Sequence, residues 1–262
     1  MKHLSLLALL FVITCVRAQT PDINGEATKA LLKKANAKSM TSDERKELKK
    51  IAFALQNFGQ NLDELKHDYK GSLKYINQAI MLFDSMDDTL NVANNKKFKG
   101  YLLSRLDNFT EAKIEIDESI RMFKLKKADW GVAVSQFDLS RVYEFENKLD
   151  SAIYYSNTAL VYWQSRKDSF RILGLQTMLI NLLTKSGDYT KAISLQKETE
   201  KLTGNPELHW LNLIDFYYVS YQLFKRSADT IHYERYKELY TNKLAELSKT
   251  GTSARSFYDN DN

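Results

Sequence analysis

Cysteine is almost absent from this chain, and the position of the single residue, Cys15, decides what that means. It falls in an N-terminal stretch in which Lys2 and His3 form a short polar head, Leu4 to Ile13 is apolar, and Val16-Arg17-Ala18 offers small residues at cleavage positions. This is the pattern of a cleaved export signal. Cleavage after Ala18 would start the mature chain at Gln19 and leave it without cysteine, excluding disulfides and thiol chemistry and leaving stability to packing alone. Other scarcities point the same way. Proline occurs only at Pro21 and Pro206, and no alternating apolar run is bounded by tight-turn residues, so strands find little support. The N-terminal apolar run of about ten residues is too short for the roughly 20 a bilayer span requires, and no second candidate follows it.

An alternative fate for the N-terminus makes Cys15 the lipid-modified first residue of an anchored lipoprotein, with Val12-Ile13-Thr14 before it. The main expectation is a signal peptide over 1–18 and an exported protein, periplasmic or secreted. Removing it takes away Lys2 and Arg17 and no acid, so the net charge falls from +5 to +3. A nearly neutral exported chain gives no case for a nucleic-acid partner.

Catalytic signatures are missing as well. Histidines beyond residue 18 are only His67, His209 and His232, too scattered for a metal site or a histidine base. No phosphate-binding Gly-Lys-Ser/Thr loop, Gly-x-Gly pair or Gly-x-Ser-x-Gly elbow occurs. Glu111, Glu115 and Glu118 share a helical face beside Lys113 and Arg121, which reads as a solvated charged face. A non-enzymatic protein without cofactor or metal is expected.

What the chain does have is a period. Asp68-Tyr69-Lys70-Gly71-Ser72, Asn108-Phe109-Thr110-Glu111-Ala112, Lys148-Leu149-Asp150-Ser151-Ala152 and Asp188-Tyr189-Thr190-Lys191-Ala192 align at a spacing of 40. A fixed period of this length marks stacked helical hairpins, each burying its apolar face on its neighbours. First helices should end near 65, 105, 145 and 185, and second helices should begin near 69, 109, 149 and 189. Asp68, Asn108 and Asp188 can cap the second helices, and Gly187 can take the positive φ that often ends the first. Ser72, Ala112, Ala152 and Ala192 are small where helices cross, while Leu62, Leu102, Val142 and Leu182 form an apolar stripe.

These residues resemble the tetratricopeptide repeat (TPR), with Gly100 at the small position of a first helix and Ala79 and Ala159 at the later small position of second helices. Ser119 and Thr199 replace that later alanine, the first-helix tryptophan is absent, and the period exceeds the usual 34. A HEAT-like repeat fits the period, but the turn-aromatic-small spacing favours the TPR. The resemblance implies an all-α, right-handed superhelical solenoid of stacked antiparallel hairpins. Five hairpins are expected over 42–248, after an N-terminal segment 19–41 with a capping helix and before a polar disordered tail, 249–262. In the N-terminal segment Glu26 to Lys38 should be helical with Ala30, Leu31 and Ala35 inward, and Ser42 should cap the next helix. The fifth hairpin should run Glu207 to Phe224 and Thr230 to Leu247.

By the same resemblance the first helices form a concave face. Its columns would hold Asn57, Lys97, Phe137 and Thr177, then Asn61, Tyr101, Arg141 and Asn181, with Arg105 and Lys185 one turn on. Lys97, Tyr101, Arg105, Phe137, Arg141, Asn181 and Lys185 are therefore the candidate contacts for an extended peptide or partner protein. Asn57 and Asn61 stand where the family's carboxylate clamp needs Lys and Asn, so that activity is not implied. Aromatic crowding in the fifth hairpin makes Trp210, Tyr217 and Tyr221 a candidate second surface, for a partner or a second copy of the chain. Three roles fit: an exported binding scaffold, an extracytoplasmic sensory domain working with a separate signalling protein, and a lipoprotein of a nutrient-uptake system.

Overall fold

A computed structural model describes residues 25–36, 38–205, 210–249 and 258 of the chain. The export signal and Cys15 lie outside the described residues, as do Pro206, His209 and all of the tail beyond Lys249 except Tyr258. Among the described residues there are eleven α-helices and no strand: α1 Glu26–Asn36, α2 Ser42–Lys66, α3 Tyr69–Ser85, α4 Thr89–Ser104, α5 Phe109–Leu125, α6 Asp129–Phe145, α7 Leu149–Arg166, α8 Ser169–Lys185, α9 Tyr189–Glu200, α10 Trp210–Arg226 and α11 Thr230–Lys249. They fall into two compact units, 1–127 and 128–262.

From α2 to α9, and between α10 and α11, the connections are two to four residues long and end alike. His67, Asp87, Asp107, Lys127, Asn147, Lys167 and Gly187, spaced by 20, all have positive φ, as does Ala228. At 88, 108, 148, 168, 188 and 229 the following residue's N–H donates to the carbonyl five residues back, closing the outgoing helix. That same residue then opens the next helix. Asp68, Asp88, Asn108, Asp168 and Asp188 accept the N–H of Gly71, Asn91, Glu111, Arg171 and Lys191. Ala128 and Lys148 occupy the equivalent place without a side-chain cap. The first helix of the first hairpin is capped by Thr41 rather than Ser42, through a reciprocal pair of hydrogen bonds with Glu44. Threonine prevails because the glutamate three residues on can return its bond.

In the first unit α1 lies against α2 and α3, and α4 packs on both α3 and α5. Its core joins Ala35, Leu48, Leu55, Ala79, Leu82, Phe83 and Val92. In α1 the inward face runs through Thr28 and Ala35, with Leu31 half-buried, whereas Ala30 is exposed. Ala30 stands about 100° around the helix from Leu31, so it cannot share that stripe.

In the second unit α6 and α7, α8 and α9, and α10 and α11 pair as hairpins, and α8 also packs on α10. Most of the aromatic residues of the last hairpin are core: Phe216, Tyr218, Phe224, Tyr236 and Tyr240 are buried with Leu173, Ile180 and Ile214. The Gln196 side-chain amide donates to the Tyr236 hydroxyl at 2.6 Å, so that burial leaves the hydroxyl satisfied.

Small residues set the distance between paired helices. Ser72, Ala112, Ala152 and Ala192 are fully buried, and so are Ala79, Ser119, Ala159 and Thr199. At Gly100 a methyl group would lie 2.5 Å from Ile116 Cγ1 and 2.7 Å from the Ala112 carbonyl oxygen. In the equivalent place of the next hairpin Ser140 exploits the same proximity, donating its hydroxyl to the Ala152 carbonyl at 2.7 Å. Gly100→Ala should therefore lose about 1–3 kcal/mol by overpacking, although alanine is the better helix former by about 1 kcal/mol. Gly174→Ala, whose methyl would approach only Asn212 Nδ2 at 3.9 Å, should gain up to about that amount. Urea denaturation of the two variants checks the pair, and equal effects would contradict it.

Candidate binding groove

The second unit contains a cavity of about 280 Å³ walled by three first helices. Its lining keeps the period of the chain: Val134 and Gly174, Phe137 and Thr177, Arg171 and Leu211, and Leu175 and Asp215 are each 40 apart, on α6, α8 and α10. Equivalent positions on successive first helices thus converge on one recess, because each hairpin repeats the geometry of the last. Gly174 contributes no side chain, which keeps the middle of the recess open.

The lining is mixed. Trp163 of α7 is buried, and the Arg171 guanidinium lies over its ring at 4.3 Å, an attraction between cation and ring face. Phe137 and Phe170 add aromatic surface, and Asn212 donates its amide to the Phe170 carbonyl at 2.9 Å, tying α10 to the start of α8. Arg171 also sits 3.5 Å from Asp168, and Arg141 sits 3.8 Å from the buried Asp138 one turn back. Thr177 lines the recess at 1% exposure, and its hydroxyl is buried without a hydrogen-bond partner among the described residues. Tyr258 completes the wall. Two guanidinium groups beside aromatic surface suit a peptide that carries an apolar or aromatic anchor near a carboxylate.

Of the residues expected on the concave face, Phe137 and Arg141 meet at this recess, with Thr177 of the first column. Asn181 and Lys185 are engaged within the unit. Both donate to Glu144, at 2.6 and 3.0 Å, and hold a buried carboxylate between α6 and α8. Lys97, Tyr101 and Arg105 belong to the first unit. Tyr101 is only 7% exposed and stacks on Phe98, so it offers little surface. Arg105 donates to the Tyr69 hydroxyl at 3.0 Å and covers its ring, and Lys97 is half-buried. Trp210, Tyr217 and Tyr221 are partly buried against the core of the second unit. Sequence reasoning missed Trp163, Phe170, Arg171 and Asp215. The 40-residue spacing from Arg171 to Leu211 and from Leu175 to Asp215 was the available signal.

The acidic face of α5 departs from expectation. Glu115 is 8% exposed and accepts from Lys96 at 2.9 Å and Lys99 at 2.7 Å, and Lys96 also reaches Glu118. The pairing of α4 with α5 brings these lysines over Glu115 and Glu118, so this part of the face is an ion-pair seam between helices, while Glu111 stays exposed as expected. Burial alone would raise the Glu115 carboxyl, but hydrogen bonds from Lys99 and Lys96 outweigh it and hold it below the usual carboxylate range. A depressed pKa adds stability that is complete above the unfolded value, near 4.3, and is lost as pH falls through the folded one. Glu115→Gln should cost about 1.5–3 kcal/mol at pH 7, and the gap to the parent should narrow progressively as pH falls below about 4. Thermal or urea denaturation across pH measures this. A gap independent of pH would assign the loss to shape instead of charge.

The comparisons with known proteins bear on the fold. No family model and no curated protein matches the chain. Among solved structures, BtubC (BKLC) from P. vanneervenii superposes with a TM-score of 0.64 at 13% identity, over 84% of this chain and 92% of that one. The Podosopora anserina putative kinesin light chain, with nearly identical TPR-like repeats, gives 0.58 at 9% identity over 74% and 95%. A variant of that protein gives 0.55 at 11% over 76% and 95%. The fold is TPR-like. At such identities the likeness speaks for architecture alone, and the 40-residue hairpin here is a long form of a TPR-like unit. Among the described residues no helix is long and apolar enough to cross a membrane.

Proposed function

We propose that this TPR-like chain is an exported, non-enzymatic scaffold that holds an extended segment of a partner protein in the groove of α6, α8 and α10. The observation that carries the reading is the recess itself, where period-related positions on three first helices converge, with Arg141, Arg171, Phe137 and, from α7, Trp163 around an open glycine. Such a groove rewards an aromatic or apolar side chain with a carboxylate nearby. Several modest contacts then add along one extended ligand. The export reading rests on the sequence of residues 1–18.

Peptide display against the full chain tests the reading. Selected peptides should share an aromatic residue with an acidic neighbour. Gly174→Leu, which fills the recess from a helix position with free space around it, should weaken them at least about tenfold, or 1.4 kcal/mol, with the circular dichroism spectrum and melting temperature preserved. Arg141→Ala should weaken acidic peptides more than neutral ones. Peptides that bind both variants like the parent would place the interaction elsewhere.

A further inference from the structure

We infer that the C-terminal segment of this chain docks on the same groove through Tyr258 and competes there with the partner peptide. The inference rests on the groove reading above and gives the groove a ligand of known sequence. Tyr258 lies nine residues beyond the end of the last helix, yet it is 8% exposed and lines the recess with Phe137, Arg141 and Phe170. It also packs against the core that includes Leu173 and Ile214. An aromatic ring near a chain end gains burial only where a surface receives it, and ordering the chain that carries it costs conformational entropy. The receiving surface here is the face on which a partner would lie.

The chemistry of the segment fits that face. In sequence Phe257 precedes Tyr258, and Asp259 and Asp261 follow it. This is an aromatic anchor with carboxylates close by, the class of ligand that Arg141, Arg171 and the aromatic wall select. Arg171 keeps 42% of its side chain exposed despite its contact with Asp168, so incoming carboxylates can reach it. Tethering makes a weak ligand effective. Covalent linkage through a short connection supplies an effective concentration of about 1 mM. A segment with a free-peptide Kd of about 0.1 mM would then occupy the groove about ten times out of eleven and weaken a competing peptide about tenfold.

A fluorescein-labelled peptide of residues 250–262 provides the probe, and the full-length chain provides the receptor. By anisotropy, the peptide should bind full-length Tyr258→Ala about tenfold more tightly than the parent chain, because the variant vacates the groove. The same peptide carrying alanine in place of its tyrosine should not bind. Adding Gly174→Leu to Tyr258→Ala should abolish binding. Because Tyr258 touches the core, full-length Asp259→Lys/Asp261→Lys serves as a second vacated receptor without altering a buried residue. Equal binding to parent and both variants, or binding that survives Gly174→Leu, overturns the inference. If display-selected peptides bind parent and Tyr258→Ala equally while Gly174→Leu blocks them, the tail is refuted as a competitor and the groove stands. If Gly174→Leu blocks neither kind of peptide, both readings fail.

Discussion

The hairpins of this molecule depend on a pair of turn residues that finishes one helix and starts the next. The first residue takes positive φ, so the second can turn its N–H back to the outgoing helix and its side chain forward to the incoming one. Orphan donors and acceptors at both helix ends are thus satisfied within a few atoms of each other. No slack remains in such a connection. Helices joined this way must lie antiparallel and close, and their length fixes where the next turn falls. The true unit is therefore 20 residues, one helix and its turn, and the 40-residue hairpin is two of these.

Close antiparallel helices then demand small residues where they cross. Gly100, Ala112, Ala152 and Ser140 meet that demand in different ways, by leaving out a side chain, by offering only a methyl group, or by bonding to the facing carbonyl. With the second helices engaged on one side, the first helices turn equivalent positions toward a common recess. Its pairs 40 residues apart are a consequence of the turn, and its aromatic and cationic character is a matter of which residues occupy those positions. Fold and groove are in this sense separable, and the groove carries the specificity.

The hairpins were legible in the sequence because a period survives substitution: helix ends near 105, 145 and 185 and starts at 109, 149 and 189 fall where the alignment puts them. The 20-residue spacing was harder to see. Lys127, Lys167 and Ala228 give no sign of positive φ, and Ala128 and Lys148 fill cap positions without capping. Of the recess, Phe137, Arg141 and Thr177 stood in the columns read from the sequence. The ties of Asn181, Lys185 and Glu115 were hidden for one reason: a charged or amide residue looks free until the residue that engages it is known. Glu144 is far from Asn181 in sequence, and Lys96 and Lys99 sit on the helix before Glu115. Tyr258 was invisible because nothing in a polar tail distinguishes a docked aromatic residue from a solvated one.

Amide hydrogen exchange followed by NMR tests the dependence on the turn most directly. The first-turn amides of Gly71, Asn91, Arg171 and Lys191 receive a cap side chain at 2.8 to 3.3 Å, whereas Ser151 follows Lys148, which gives none. If the turn governs the helix ends, the four capped amides are protected and Ser151 exchanges at least about tenfold faster, corresponding to about 1.4 kcal/mol of a cap's typical worth. Equal exchange at all five would show that the caps are incidental and that packing alone sets where each helix begins.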